Sequence, residues 1–290
     1  MKRCMPAELL LLATASLKWG EVRAKTAFTG DLSAQYTEYA TKLHKKLVGE
    51  QSDYVKTLPP INSRRQNNYS AAGTDVRLQV RFFKVETVAV ATGMMRVKIW
   101  LRCEWRGERL TWDPSEYGNI TMLPTLGNSV SMPEETEIWL PDLKFFNTAD
   151  SIIHTLDPAI AQVYSDGRVY WVRPGILDTL CKFSGLVAFP FDSLSCGIEL
   201  GGWMLSGRYQ GIDLSTWETG SNSENGPGWS LSGDETTTGS SYQEYTIAGV
   251  STTKRDLYYA CCADEPWPQV TYANPAAPCT KLDKISHASI

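Results

Sequence analysis

The sequence predicts a mainly β fold, an antiparallel β-sandwich behind one N-terminal α-helix. Three observations carry this. From Val76 onward apolar and polar residues alternate with period two. Short strand-like runs recur at regular intervals, and Gly, Pro and Asp punctuate them. After the first amphipathic segment little of the chain repeats at helical spacing, which points to sheet packed on sheet rather than to alternating strands and helices.

Residues Ser33 to Val55 place Leu43, Leu47 and other apolar side chains at helical spacing among Lys and Glu, and Leu58-Pro59-Pro60 ends that helix. Val76, Leu78, Val80 and Phe82 then line one side of a strand whose other side carries Arg77, Gln79 and Arg81. After a turn at Gly93, a second strand sets Val97, Ile99, Leu101, Cys103 and Trp105 against Lys98, Trp100, Arg102 and Glu104. Trp100 therefore shares a face with charged residues, as a contact residue would. Cys103, on the inward face, reads as a buried free thiol.

Trp112-Asp113-Pro114 and Leu140-Pro141-Asp142 mark turns, and Ser165-Asp166-Gly167 joins Gln162-Val163-Tyr164 to Arg168-Val169-Tyr170 as a tight hairpin. Between Ile212 and Tyr245 the composition falls to Ser, Thr, Gly, Asn and Glu, a long surface loop that Trp217 and Trp229 pin back on the sheet. Order returns at Leu257-Tyr258-Tyr259 and again at Val270-Thr271-Tyr272. Residues 273–290 read as an irregular tail.

Composition sets bounds on function. The 290 residues carry 28 basic and 32 acidic side chains, well mixed, for a net charge of −4, so no basic stripe of the kind a phosphate backbone needs is present and nucleic acid is not an expected partner. Ten tryptophans and thirteen tyrosines exceed what a core of this size uses, and both residue types suit binding pockets. The three histidines are remote in sequence from the seven cysteines, so no metal site and no cofactor is expected. No nucleophile–base pair or phosphate loop is recognisable, which sets enzyme function last.

Seven cysteines, with Cys261 and Cys262 adjacent, suit an oxidising compartment. Asn68-Tyr69-Ser70 and Asn119-Ile120-Thr121 are glycosylation sequons. Residues 1–24 have a basic start and a short apolar run interrupted by Glu8, and read either as a signal peptide or as a frayed, disordered leader. No other stretch approaches the ~20 apolar residues of a membrane span, so the chain itself is not expected to cross a bilayer. Cys181 and Cys196 bracket Phe189-Pro190-Phe191-Asp192. An oxidised pair would staple a loop of this length with roughly 3 kcal/mol, and the alternative is two reduced core cysteines on neighbouring strands.

Several separated stretches resemble one family, the extracellular ligand-binding domains of Cys-loop receptors, the pentameric neurotransmitter-gated ion channels of nicotinic type, together with the soluble acetylcholine-binding proteins. They are WLRCEW at Trp100 to Trp105, IWLPDLKFFNTAD at Ile138 to Asp150, the Cys181 to Cys196 loop with FPFD, LGGWMLSG at Leu200 to Gly207, and YYACC at Tyr258 to Cys262. Their order is the family's.

The resemblance implies a twisted sandwich of about ten strands, with residues 25–272 as the ligand-binding domain, and five copies, alike or mixed, in a ring. It implies a pocket between neighbours. On the principal face it points to Phe146, Trp203, Tyr259 and Trp267 with a vicinal disulfide Cys261–Cys262, and on the complementary face to Trp100, Arg102, Tyr170 and Val172. Such an aromatic box would hold a small amine or quaternary ammonium, since ring faces attract cations by ~0.5–2 kcal/mol each.

Phe146 and Trp267 stand where the family has tyrosines. Glu199 and Gln269 stand where nicotinic subunits carry a lysine and an aspartate, so the ion pair implied there is absent. Adjacent Cα atoms lie only ~3.8 Å apart, short for a bridged pair, and two free thiols, or one paired with Cys279, remain the other readings. The expected setting is the extracellular side of a membrane, reached through transmembrane helices this chain does not contain, or secretion as a soluble, scavenger-like binder.

Overall fold

The computed structural model describes residues 30–50, 52–60, 73–127, 135–149, 156–183, 194–217, 225–231, 245–247 and 249–278. The leader, Cys4, the Asn68 sequon, the FPFD apex of the Cys181 to Cys196 loop and Cys279 lie outside the described residues.

Helix α1 spans Gly30–Val48 and buries Leu43 and Leu47 completely or nearly so. It stops well before Val55, where the spacing predicts it to continue. Gly49 turns the chain: its N–H reaches the His44 carbonyl at 3.2 Å, and a Cβ there would lie 2.7 Å from Lys45 backbone atoms. Ser52 Oγ then donates to the Leu47 carbonyl at 2.8 Å, satisfying one of the acceptors a helix end leaves open.

Strands β1 (Thr74–Ala89) and β2 (Met94–Thr111) form a long antiparallel hairpin through a short 3-10 turn and Gly93, whose φ of 65° favours glycine. The strands that follow are β3 (Met122–Thr125), β4 (Lys144–Phe145), β5 (Ala161–Tyr164), β6 (Asp166–Leu180) and β7 (Leu194–Gly201). Then come β8 (Gln210–Asp213), β9 (Asn225–Gly226), β10 (Trp229–Leu231), β11 (Tyr245–Ile247), β12 (Ser251–Tyr259) and β13 (Cys262–Pro278). The larger sheet runs β3-β5-β6-β2-β1-β10-β9, with β8 also on β1, and the smaller runs β11-β13-β7-β4, with β12 on β13.

The predicted alternation is the one found. Val76, Leu78, Val80 and Phe82 of β1 and Val97, Ile99, Leu101, Cys103 and Trp105 of β2 are buried, and across from them lie Ile198 and Leu200 of β7 and Val270 and Tyr272 of β13. Phe82 meets Tyr272 edge to face at 6.2 Å across the two sheets. Each such side chain taken out of water contributes roughly 1.5–3 kcal/mol. Cys103 is the buried thiol the sequence predicts, and desolvation pushes it up to about 12. The predicted hairpin at Ser165-Asp166-Gly167 is the β5–β6 connection.

Cys181 and Cys196 are bridged, with Cα atoms 5.0 Å apart. The bond joins the end of β6 in the larger sheet to β7 in the smaller one, so it staples the sandwich across its layers.

Two stretches differ from the sequence expectation. The segment after Ile212 is more than a surface loop, because its described parts form β9 and β10, and β10 pairs in parallel with β1 from Val80 to Phe82. Strands of two or three residues made of Asn, Gly, Trp, Ser and Leu have no period to read. The last strand also continues beyond Tyr272: β13 pairs with β7 as far as Ala276 and with β11 to Pro278, where composition predicts an irregular tail. Backbone pairing sustains it despite Asn274, Pro275 and two alanines of low strand propensity.

Candidate functional site

The principal-face residues stand on the smaller sheet. Phe146 follows β4 and is tied by its N–H to the Glu199 carbonyl of β7 at 2.8 Å. A Cβ on Gly201 would fall 2.9 Å from the Phe146 ring, so a glycine at the end of β7 is what admits that ring. Beyond it Trp203 projects with 56% of its surface exposed, its ring 6.4 Å from that of Phe146. An exposed tryptophan needs a rigid mount, and Asp142 supplies it. One carboxylate oxygen, Oδ2, accepts from the backbone N–H of Trp203 (3.0 Å), Met204 and Leu205 (3.1 Å). Gln210 fixes Asp142 in turn, accepting its N–H at 2.7 Å and donating to its carbonyl at 3.1 Å.

The β12–β13 hairpin carries the second aromatic pair. Tyr259 and Trp267 lie 5.9 Å apart, ring edge to face, and Tyr258 and Tyr259 are exposed. The hairpin is tied to the Trp203 loop by two backbone acceptors: Pro266 takes the Gly207 N–H at 2.7 Å, and Asp264 takes an Arg208 N–H at 3.2 Å. Cys261 and Cys262 sit at its tip as two thiols with sulfurs 2.7 Å apart. That exceeds the ~2.05 Å of a bond, so the vicinal disulfide is not closed here. The hydrogen bond that the Cys262 thiol shares with the Cys261 sulfur holds it above its ordinary value.

Between β7 and β13, Gln269 Nε2 donates to Glu199 Oε2 at 3.3 Å, while Arg255 donates to Gln269 Oε1 at 3.5 Å. A polar chain of Arg255, Gln269 and Glu199 thus occupies the place where the resemblance implies an ion pair.

The complementary-face residues lie on the outer surface of the larger sheet. Trp100 is half-buried and packs against Phe83 of β1, ring centres 4.5 Å apart and planes tilted by 50°. Arg102 donates through Nε to the Tyr170 hydroxyl (3.0 Å) and through Nη1 to Gln79 Oε1 (2.9 Å), and Val172 faces it across the β2–β6 ladder. Trp217 covers this group: it is 7% exposed, packs 5.6 Å from Tyr170, and lies over the guanidinium carbons of Arg77 (4.7 Å) and Arg102 (5.1 Å). The predicted anchor residue is therefore also a lid over two predicted contact residues.

Among the described residues no ring contact or hydrogen bond joins the principal group to the complementary one. One chain brings together each half, on opposite sheets.

The family model for the neurotransmitter-gated ion-channel ligand binding domain matches residues 40–273. The chain belongs to that family. Neuronal acetylcholine receptor subunit alpha-2 of Mus musculus is 31% identical over 82% of this chain, and acetylcholine receptor subunit alpha-like 2 of Drosophila melanogaster is 30% identical over 80%. Neuronal acetylcholine receptor subunit alpha-4 of Homo sapiens is 30% identical over 93%. The chain spans 36–40% of the length of these three relatives. It is thus a ligand-binding domain of a channel family and not an enzyme. Among the described residues no helix is long and apolar enough to cross a membrane, and no cluster of His, Cys, Asp or Glu could hold a metal ion.

Sequence reasoning missed Asp142, which it read only as a turn residue after Pro141. The signal was a carboxylate followed far along the chain by a Gly-Gly turn, and nothing local links the two.

Proposed function

We propose that this ligand-binding domain takes a small amine or quaternary ammonium ligand between neighbouring subunits of a pentamer, on the extracellular side of a membrane. The observation that carries the reading is Trp203, more than half exposed beside Phe146 on a loop whose backbone is clamped by a buried carboxylate. A large apolar ring held rigidly in water loses little further freedom when a ligand covers it. Tyr259 and Trp267 close the pocket from the hairpin side, with the tip of Cys261 and Cys262 above, and the cysteines form a bridge on oxidation. Trp100 of the adjoining subunit forms the far wall, with Arg102, Tyr170 and Val172 around it.

The test is titration calorimetry on assembled protein with a quaternary ammonium and with its neutral isostere. Trp203→Leu keeps apolar bulk and removes the ring quadrupole, so it should weaken the cation by ~1–2 kcal/mol and leave the isostere nearly unchanged. Equal losses for both ligands would make Trp203 a packing residue, and light scattering that finds only monomer at tens of micromolar would remove the second half of the pocket.

A further inference from the structure

We infer that Asn119 is a site of N-linked glycosylation, placed so that its glycan shields the open edge of the larger sheet. The chain turns here in a fixed way. Asp113 caps a 3-10 turn over Pro114–Tyr117 by accepting the Ser115 N–H at 2.9 Å, and Gly118 ends it with a φ of 60°. Asn119 follows with a φ of 63°, and no other described non-glycine residue has a positive φ. Its own N–H returns to the Pro114 carbonyl at 2.8 Å. Ile120 is buried, with its carbonyl accepting from Trp112 Nε1 at 2.7 Å.

This anchoring on both sides aims Asn119 outward. Asn119 and Thr121 are both exposed, and neither side chain is engaged by any described residue. The acceptor amide and the hydroxyl two residues on, the pair that a sequon requires, are thus both free in the folded chain.

The location gives the modification a consequence. Thr121 leads directly into β3, the terminal strand of its sheet, which among the described strands pairs only with β5, while the Glu137 N–H reaches the Leu126 carbonyl just beyond its far end at 2.9 Å. Met122 stands exposed on that strand, and Pro124 already removes one donor from it. Unpaired edges invite pairing with other chains, and a bulky solvated group at the entry to β3 blocks that approach.

The reaction is the transfer of an oligosaccharide from a polyprenyl-diphosphate carrier. The bond from the anomeric carbon to the diphosphate oxygen breaks and a bond to Asn119 Nδ2 forms. The amide loses one proton to the transferase, and the polyprenyl diphosphate leaves.

The competing account is that asparagine stands at 119 only because it tolerates a left-handed backbone. Two variants separate the accounts: Asn119→Gly satisfies the turn without an acceptor, and Thr121→Ala keeps the acceptor without the hydroxyl. The full chain is expressed in a eukaryotic secretory host, and all material carrying the Cys181–Cys196 bond, from cells and medium alike, is treated undenatured with peptide N-glycosidase in heavy-oxygen water. The expected result is an Asn119 peptide converted to labelled aspartate, with that conversion lost in both variants. An Asn119 peptide recovered unmodified from wild type would overturn the inference, as would conversion persisting in Thr121→Ala. Release that occurs only after denaturation would overturn the solvent-facing placement.

Discussion

Asp142 holds Trp203 by its backbone and not by its ring: a carboxylate oxygen of one loop accepts the Trp203 N–H at 3.0 Å and those of the next two residues as well. Three donors that would otherwise need water are satisfied by one buried charge, and the ring is left free to meet a ligand. Hydrogen bonds to a charged group are worth ~1.5–3 kcal/mol each.

Asp142→Asn keeps the shape and removes the charge, and it turns an amide N–H₂ or a weaker acceptor toward those donors. Amide hydrogen exchange at Met204 and Leu205 should therefore accelerate at least tenfold, a loss of about 1.4 kcal/mol or more. Unchanged exchange at both amides would show that the loop is held by its packing alone.

The Cys181–Cys196 bond crosses from the larger sheet to the smaller, so its removal should loosen the two layers together. Cys196→Ser is expected to cost about 2–5 kcal/mol. Urea unfolding followed by tryptophan fluorescence checks this, and a midpoint equal to that of wild type would mean the sandwich core suffices without the staple.

Arg96 and Asp178 pair across the β2–β6 ladder through two hydrogen bonds, Nε to Oδ1 at 2.7 Å and Nη2 to Oδ2 at 2.6 Å. Those bonds hold the Asp178 carboxyl below its ordinary value. A depressed carboxylate contributes stability that is present above the unfolded value of ~3.9 and is lost as pH falls through the lower folded value. The gap in stability between wild type and Asp178→Asn should thus be constant from neutral pH to ~5 and narrow below ~4, within the ~0.2–1 kcal/mol of exposed pairs. Urea midpoints across that range measure it, and a gap that widens on acidification would reverse the assignment.

The strands with strict alternation were legible because each buries one face: Val97 to Trp105 gives its inward set residue by residue, and Trp100 announces itself by standing among charges. The short strands β9 and β10 were not legible, since they owe their existence to backbone pairing with β1 and carry no period. The same holds for β13 beyond Tyr272. Of the candidate site, the aromatic residues are proposed from their motifs, whereas nothing in the motifs points to the groups that support them. Asp142 reaches Trp203 across 61 positions of chain, and Trp217 reaches Arg102 from a segment whose composition says only that it is polar.

Trp217 supplies the last prediction. Its ring lies over Arg77 and Arg102 and beside Tyr170, so three predicted or neighbouring contact groups of the complementary face are covered by the chain's own side chain. Removing a buried tryptophan costs about 3–5 kcal/mol in a core, and each cation over a ring adds ~0.5–2 kcal/mol, so Trp217→Ala should lower the unfolding midpoint measurably. Loss of stability alone would not distinguish a cover from a strut. Arginine-selective labelling with a dicarbonyl reagent does: Arg102 should be protected in wild type and react severalfold faster in Trp217→Ala, while Arg106, exposed in the structure, should label equally in both. Trp217→Phe retains a ring over both guanidinium groups and should restore most of the protection. Equal labelling of Arg102 in wild type and Trp217→Ala would show that the Trp217 segment leaves the complementary face open, and that Arg102 and Tyr170 meet a ligand without its displacement.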